Sequence, residues 1–207
     1  MAVTNAASNV AWSSSANAST QEFTPLVNTL TDFETELSGY DHCQTILNKE
    51  KANNKLSTFS TDYPAIYYAL NYGTSSVGGA QYAAPMATNN SGWYLPSSGQ
   101  WYLIVTNLGG ITGTPTSDIS AGFTYWIYSG TASTASNGIN SYLSKVVSGG
   151  NLIDWSSGAN RYYWCSSERS SSYACFPLFS NDVRLNLSLA PKTYADSNGR
   201  IRSVIAF

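Results

Sequence analysis

Charge is scarce in this chain. Only 11% of its 207 residues are Asp, Glu, Lys or Arg, and the formal net charge is −2. Neutralising nucleic-acid phosphates needs a basic stripe, so no nucleic-acid partner is expected. Histidine occurs once, as His42, and cysteine three times, at Cys43, Cys165 and Cys175. A zinc site takes about four ligands in close pairs, so neither a metal nor another cofactor is expected. Cys165 and Cys175 could form a disulfide if their segments lie side by side, which spacing alone leaves open. No apolar run approaches the roughly twenty residues that span a bilayer. The start, Met1-Ala-Val-Thr-Asn, has neither the basic nor the apolar segment of a signal peptide. The expectation is a soluble polypeptide without membrane insertion. Its start either follows a removed signal or upstream domain, or belongs to a protein delivered without secretion.

Aromatic and small polar residues take the place of charge. Fifteen Tyr and six Trp accompany abundant Ser, Asn, Gly and Thr, and 43% of residues are hydrophobic. That is enough to bury one core, predicting a single domain over 1–207. Rigid amphipathic rings beside small adaptable polar groups also make up antibody paratopes. An extracellular surface selected for low charge has the same composition.

Residues 1–40 read as a short strand followed by loop. Helical spacing covers Cys43–Lys51 and Tyr63–Tyr72, with Gly73 as a stop. Ser97 and Gln100 match a capping box, and Trp101, Ile104, Val105 and Leu108 then recur at helical period until Gly109-Gly110. Phe123–Tyr128 reads as a strand between loops. Ile139, Tyr142, Leu143 and Val146 predict a further helix closed by Gly149-Gly150. Short strands follow at Arg161–Trp164, Ala174–Phe179, Val183–Leu189 and Ile201–Phe207. Pro177 lies inside one of these, predicting an edge or bulged strand. The pattern is an α+β domain.

The phrase Gly92-Trp93-Tyr94-Leu95-Pro96-Ser97-Ser98-Gly99-Gln100 is followed downstream by Tyr163-Trp164-Cys165-Ser166-Ser167-Glu168, Tyr173-Ala174, Phe179-Ser180-Asn181 and the closing Ile201-Arg202-Ser203-Val204-Ile205-Ala206-Phe207. In order and spacing this resembles, over most of residues 40–207, the variable proteins of diversity-generating retroelements found in surface and phage proteins of gut Bacteroidales. The resemblance implies a C-type-lectin-like fold, related to formylglycine-generating enzymes, with helices packed on short antiparallel strands. It also implies a C-terminal variable region, 161–200, that binds ligand. Diversification at template adenines does not yield Lys, Glu, Gln, Met or Trp, and none of these occurs from Arg169 to Pro191. Cys175 stands where relatives often have Trp.

General acid–base chemistry at Glu168 would need a partner group. None has a fixed relation to it in the sequence, so a structural hydrogen-bonding role is expected for Ser166, Ser167 and Glu168. The calcium-site triplets of C-type lectins do not occur. Trp93, Trp101, Trp126, Trp164 and Phe207 are expected in the core. The ligand-binding candidates are Tyr162, Arg169, Tyr173, Phe176, Leu178, Asn181, Arg184, Asn186 and Ser188. They lie in the expected variable stretch and include the Tyr and Arg types that dominate interface hot spots. The expected function is a non-enzymatic, adhesive or receptor-binding protein at a bacterial cell surface or on a phage virion, within a larger appendage or assembly, taking a protein or glycan ligand on a cell surface. The alternatives are a formylglycine-generating-type enzyme and a structural pilus or tail subunit.

Overall fold

The capping box forms as the sequence predicts. The Ser97 hydroxyl accepts from the Gln100 amide, and the Gln100 side chain accepts from the Ser97 amide at 3.0 Å. In this computed structural model the described residues are 1–84, 89–120, 123–128, 131–146, 153, 160–180 and 184–207, with side chains excluded at 118–120 and 123–125. The helix capped at Ser97, α5, covers Ser98–Leu103 and continues as a π-helical turn, Ile104–Leu108. Trp101 and Val105 are fully buried on its inner face. The other helices are α1 (Leu30–Thr35), α2 (Gly39–Ala52), α3 (Phe59–Asp62), α4 (Pro64–Leu70) and α6 (Ala132–Val146).

Helix α6 packs against the π turn through two glycines. A Cβ on Gly138 would meet the Leu108 carbonyl oxygen at 2.7 Å, and one on Gly109 would stand 3.1 Å from the Ala135 Cα of α6. Ile139 and Leu143 of α6 face the core, whereas Tyr142 and Val146 are exposed. The apolar stripe expected there is therefore half as wide as its spacing suggests. The expected stop at Gly149-Gly150 lies outside the described residues.

The strands are β1 (Ala7–Ser8), β2 (Thr116–Ser120), β3 (Phe123–Tyr128), β4 (Arg161–Tyr163), β5 (Tyr173–Phe179), β6 (Leu185–Pro191) and β7 (Gly199–Ile201). They form an open seven-stranded sheet in the order β1-β7-β4-β5-β6-β3-β2. Neighbours are antiparallel except β4 and β7, which run parallel. The molecule is therefore a mixed α+β fold.

Alternation along β5 and β6 divides two hydrophobic clusters. Cys175, Phe179, Leu185 and Leu187 join Trp101, Val105, Ala135 and Ile139 of α5, the π turn and α6. Ala174, Phe176 and Ala190 join Cys43 and Ile46 of α2 and Ile66 and Ala69 of α4. Burying both faces explains why β5 reads as a nearly continuous apolar run.

Four expectations are corrected. Strand β5 is central rather than at an edge, but its ladder with β4 runs only through Arg161↔Phe179 and Tyr162↔Leu178, so Pro177 sits just past the last paired residue. Its missing N–H therefore interrupts no β4–β5 register pair. The terminal strand is shorter than its alternation implies. Beyond Ile201, Ala2 takes the Ser203 carbonyl, Val204 bridges Tyr94, and Arg202 is fully buried. Phe207, past the last of these bonds, is 85% exposed rather than in the core. Trp93 is half-buried, while Trp101, Trp126 and Trp164 are in the core as expected.

Candidate ligand-binding face

The Ser-Ser-Glu block after Trp164 docks on the capped start of α5. The Ser166 amide donates to the Pro96 carbonyl at 2.8 Å. Ser167 Oγ accepts from the Ser98 amide at 2.9 Å and donates to the Glu36 carboxylate. The Glu36 carbonyl in turn accepts from Ser97 Oγ at 2.7 Å and from the Gly99 amide at 2.9 Å. Ser166, Ser167 and Glu168 are all buried, and the hydrogen-bonding role expected of them is what their geometry shows.

Glu168 has a partner the sequence did not disclose. Its carboxylate accepts from the Glu22 amide at 2.8 Å and the Phe23 amide at 2.8 Å, and pairs with the Lys192 ammonium. Lys192 Nζ also donates to the Thr20 carbonyl at 2.7 Å and lies 4.9 Å from the Trp12 ring centre. Burial pushes the Glu168 carboxyl up, and the ammonium and amides pull it back. Trp12 and Trp164 add reciprocal clamps: Trp12 Nε1 donates to the Cys165 carbonyl at 2.9 Å, and Trp164 Nε1 to the Val10 carbonyl at 3.1 Å. The N-terminal stretch is thus bound to the sheet from below, which fixes β4 and β5.

A histidine and a serine also meet. His42 Nδ1 lies 3.0 Å from Ser166 Oγ, and its Nε2 lies 3.7 Å from Glu36. Nucleophilic catalysis would need an accessible hydroxyl, but Ser166 is fully buried and the His42 ring is stacked on Phe23 at 4.0 Å. Burial lowers the affinity of His42 for its proton, opposed by Glu36 and Asp41. Cys165 and Cys175 are free thiols rather than a disulfide. Burial pushes both well above the usual thiol range and so keeps them protonated, whereas a soft metal takes thiolates. Among the described residues no three His, Cys, Asp or Glu side chains converge as metal ligands.

Five of the nine expected ligand contacts share one face of the sheet. Leu178 stands directly opposite Tyr162 of β4 and Asn186 of β6, and Asn186 opposite Ile127 of β3. Phe176 and Ser188 form the next row. Of these five residues, Leu178 and Asn186 in the middle reach solvent. Leu178 and Asn186 are half-buried, but Tyr162, Phe176 and Ser188 are 3%, 6% and 7% exposed. Tyr162 is packed by Phe176, Trp164 and Tyr194, with ring centres 4.8–5.9 Å apart. These three residues are packed into the covered part of the sheet face.

The other four are dispersed. Arg169 is half-buried and donates to the Val27 carbonyl at 2.7 Å, holding a loop rather than facing outward. Tyr173, half-buried, has the opposite strand parity and stands across from Pro191. Arg184 is half-buried just before β6, two residues from Asn186, and its carbonyl accepts from the Ser180 amide at 2.8 Å. Asn181 lies outside the described residues. Tyr194, 45% exposed and stacked on Tyr162, borders the same face but lies beyond the last candidate named from sequence.

Asn186 Oδ1 is buried without a hydrogen-bond partner among the described residues. Such an acceptor costs about 1–3 kcal/mol if nothing donates to it, and it sits beside a half-exposed Leu178. Among the described residues no helix is long and apolar enough to cross a membrane. In comparisons with known proteins no family model, no curated protein and no solved structure matches this chain.

Proposed function

We propose that the chain is a non-enzymatic ligand-binding protein whose reading surface is the Leu178–Asn186 patch, carried on a C-type-lectin-like scaffold of the variable-protein kind. The observation that carries this reading is the unpartnered Asn186 Oδ1 beside half-exposed Leu178, in the middle of a sheet clamped by buried polar bonds. A ligand donor meeting Asn186 and an apolar group covering Leu178 would satisfy the acceptor and complete the burial of the leucine. Arg184 and Tyr194 flank the patch with the side-chain types that anchor interfaces.

The lectin-like assignment and the role of 161–200 as a diversified region rest on the sequence blocks that resemble variable proteins. Their mutual docking at Ser98–Ser167 and Pro96–Ser166 supports reading them as one unit. A protein or glycan on a cell surface is the proposed ligand, and a bacterial surface appendage or phage virion the proposed setting. The enzyme alternative is disfavoured by the burial of Ser166 and by the protonated state of Cys165 and Cys175. The experiment is flow cytometry of fluorescently labelled protein on a panel of intact bacterial cells, comparing the wild type with Asn186→Leu. Selective staining by the wild type that the variant loses supports the reading, and equal staining by both refutes it.

A further inference from the structure

A groove of about 440 Å³ lies between α2, α4 and the segment leading to Trp93, separate from the Leu178–Asn186 patch. Its volume falls within the roughly 300–1,000 Å³ of small-molecule sites. Among the described residues no Asp, Glu, Lys or Arg lines it, so none of them selects an ionic ligand.

Leu47, Leu56 and Leu70 give it an apolar wall, and beside them stand the rings of Tyr67 and Trp93 and the neutral hydrogen-bonding side chains of Gln44, Asn71 and Ser91. Tyr67 and Trp93 are both half-buried, leaving ring surface open. Tyr67 is held edge-on by Phe59 at 5.8 Å, and Trp93 by Tyr72 at 5.0 Å, with its indole N–H fixed on the Tyr82 carbonyl at 2.9 Å. Neither ring has to be ordered on binding, which lowers the entropic cost of a complex.

The amides supply the polar half. Gln44 lines the groove with its side-chain amide unbonded to any described residue. Asn71 uses its Nδ2 on the Tyr67 carbonyl at 2.9 Å, which fixes the side chain and leaves Oδ1 to accept. Between them they leave three N–H donors and two carbonyl acceptors without charge. Gly92, at φ +70°, has open space where a Cβ would stand, so backbone approach is unobstructed.

We infer that this groove binds a neutral saccharide, with a sugar ring against Tyr67 or Trp93 and its hydroxyls on the Gln44 and Asn71 amides. Hydroxyls both donate and accept, as these amides do, while the apolar faces of a sugar ring match the aromatic surface. A charged ligand would lose hydration with no opposite charge to replace it. This site is independent of the sheet face and stands or falls separately.

Isothermal titration with maltotriose, cellotriose, mannobiose and N,N′-diacetylchitobiose tests it. At least one should bind with a Kd in the millimolar range or tighter. Gln44→Ala and Tyr67→Ala should each weaken that binding tenfold or more, while Asn186→Leu leaves it unchanged. Gln44→Ala removes no side-chain hydrogen bond to a described residue, and an unchanged thermal midpoint of the variant separates its effect on binding from a folding defect. Absence of binding by all four sugars, or binding that Gln44→Ala leaves intact, overturns the inference. So does loss of sugar binding in Asn186→Leu, which would place the sugar on the sheet face.

Discussion

The Glu168 carboxylate and the Lys192 ammonium form an ion pair with both side chains fully shielded from solvent. Two amides of the 20–27 loop and the Thr20 carbonyl complete its hydrogen bonds. Removing one partner leaves a buried charge uncompensated, which typically costs 3–5 kcal/mol. Lys192→Met should therefore destabilise the protein by about 3–5 kcal/mol in urea unfolding, and the double variant Glu168→Gln/Lys192→Met should recover part of the loss. Single variants as stable as the wild type would show that the pair contributes nothing.

Ser97 gives a smaller and more local effect. Its hydroxyl caps α5 and also donates to the Glu36 carbonyl. Ser97→Ala should cost about 1–2 kcal/mol, toward the upper end for a lost N-cap. Thermal unfolding with an unchanged midpoint would contradict the cap's contribution.

Two aromatic residues in the sequence blocks differ sharply in what their removal does. Trp164 is fully buried and donates to the Val10 carbonyl, while Phe207 is 85% exposed. Trp164→Ala should cost about 3–5 kcal/mol through lost burial and a residual cavity. Phe207→Ala should stay within about 0.5 kcal/mol. Denaturant midpoints of the two variants check the contrast, and equal losses would refute it.

His42 should make stability depend on pH. Burial holds its imidazole below the ordinary 6.5, and the opposing pull of Glu36 and Asp41 is smaller. As pH falls, the unfolded chain therefore takes up the proton first. Stability declines from about pH 6.5 toward the lower folded value, below which this group contributes no further slope. Glu50 and Glu168, both raised above the ordinary 4.5, act in the opposite sense just above that pH. The difference between wild type and His42→Gln isolates the imidazole. That difference should change between pH 7 and pH 5, and parallel stability profiles would contradict it.

Much of the helical frame is legible in the sequence because its signals are local. Ser97 and Gln100 announce α5 by type and spacing, and Ile139 and Leu143 mark the inner side of α6. Helix α1 carries an equally complete capping box at Thr29 and Asp32, but one buried phenylalanine in six residues gives no period to find. Strand β2, Thr116–Ser120, has a Ser and Thr composition that matches a turn, and pairing with β3 makes it a strand. The site is less legible still. Period-two alternation does not tell which face of a doubly covered sheet reaches solvent, so Tyr162 and Phe176 look identical to Leu178 until α2, α4 and Tyr194 are in place. The Glu168–Lys192 pair joins residues on either side of the β5–β6 hairpin, and no local pattern links them.

Asn186 separates binding from stability most directly. If its buried Oδ1 is kept for a ligand, Asn186→Leu removes an unsatisfied acceptor and should leave stability unchanged or raise it by up to about 1 kcal/mol. The same substitution should abolish selective staining of the cells that the wild-type protein binds. The decisive measurement is therefore the pair of values for this one variant, urea unfolding midpoint and cell staining by flow cytometry. Equal or higher stability with staining lost at least tenfold is the predicted result. Unimpaired staining, or lost staining accompanied by several kcal/mol of destabilisation, would contradict a reading surface at Leu178–Asn186.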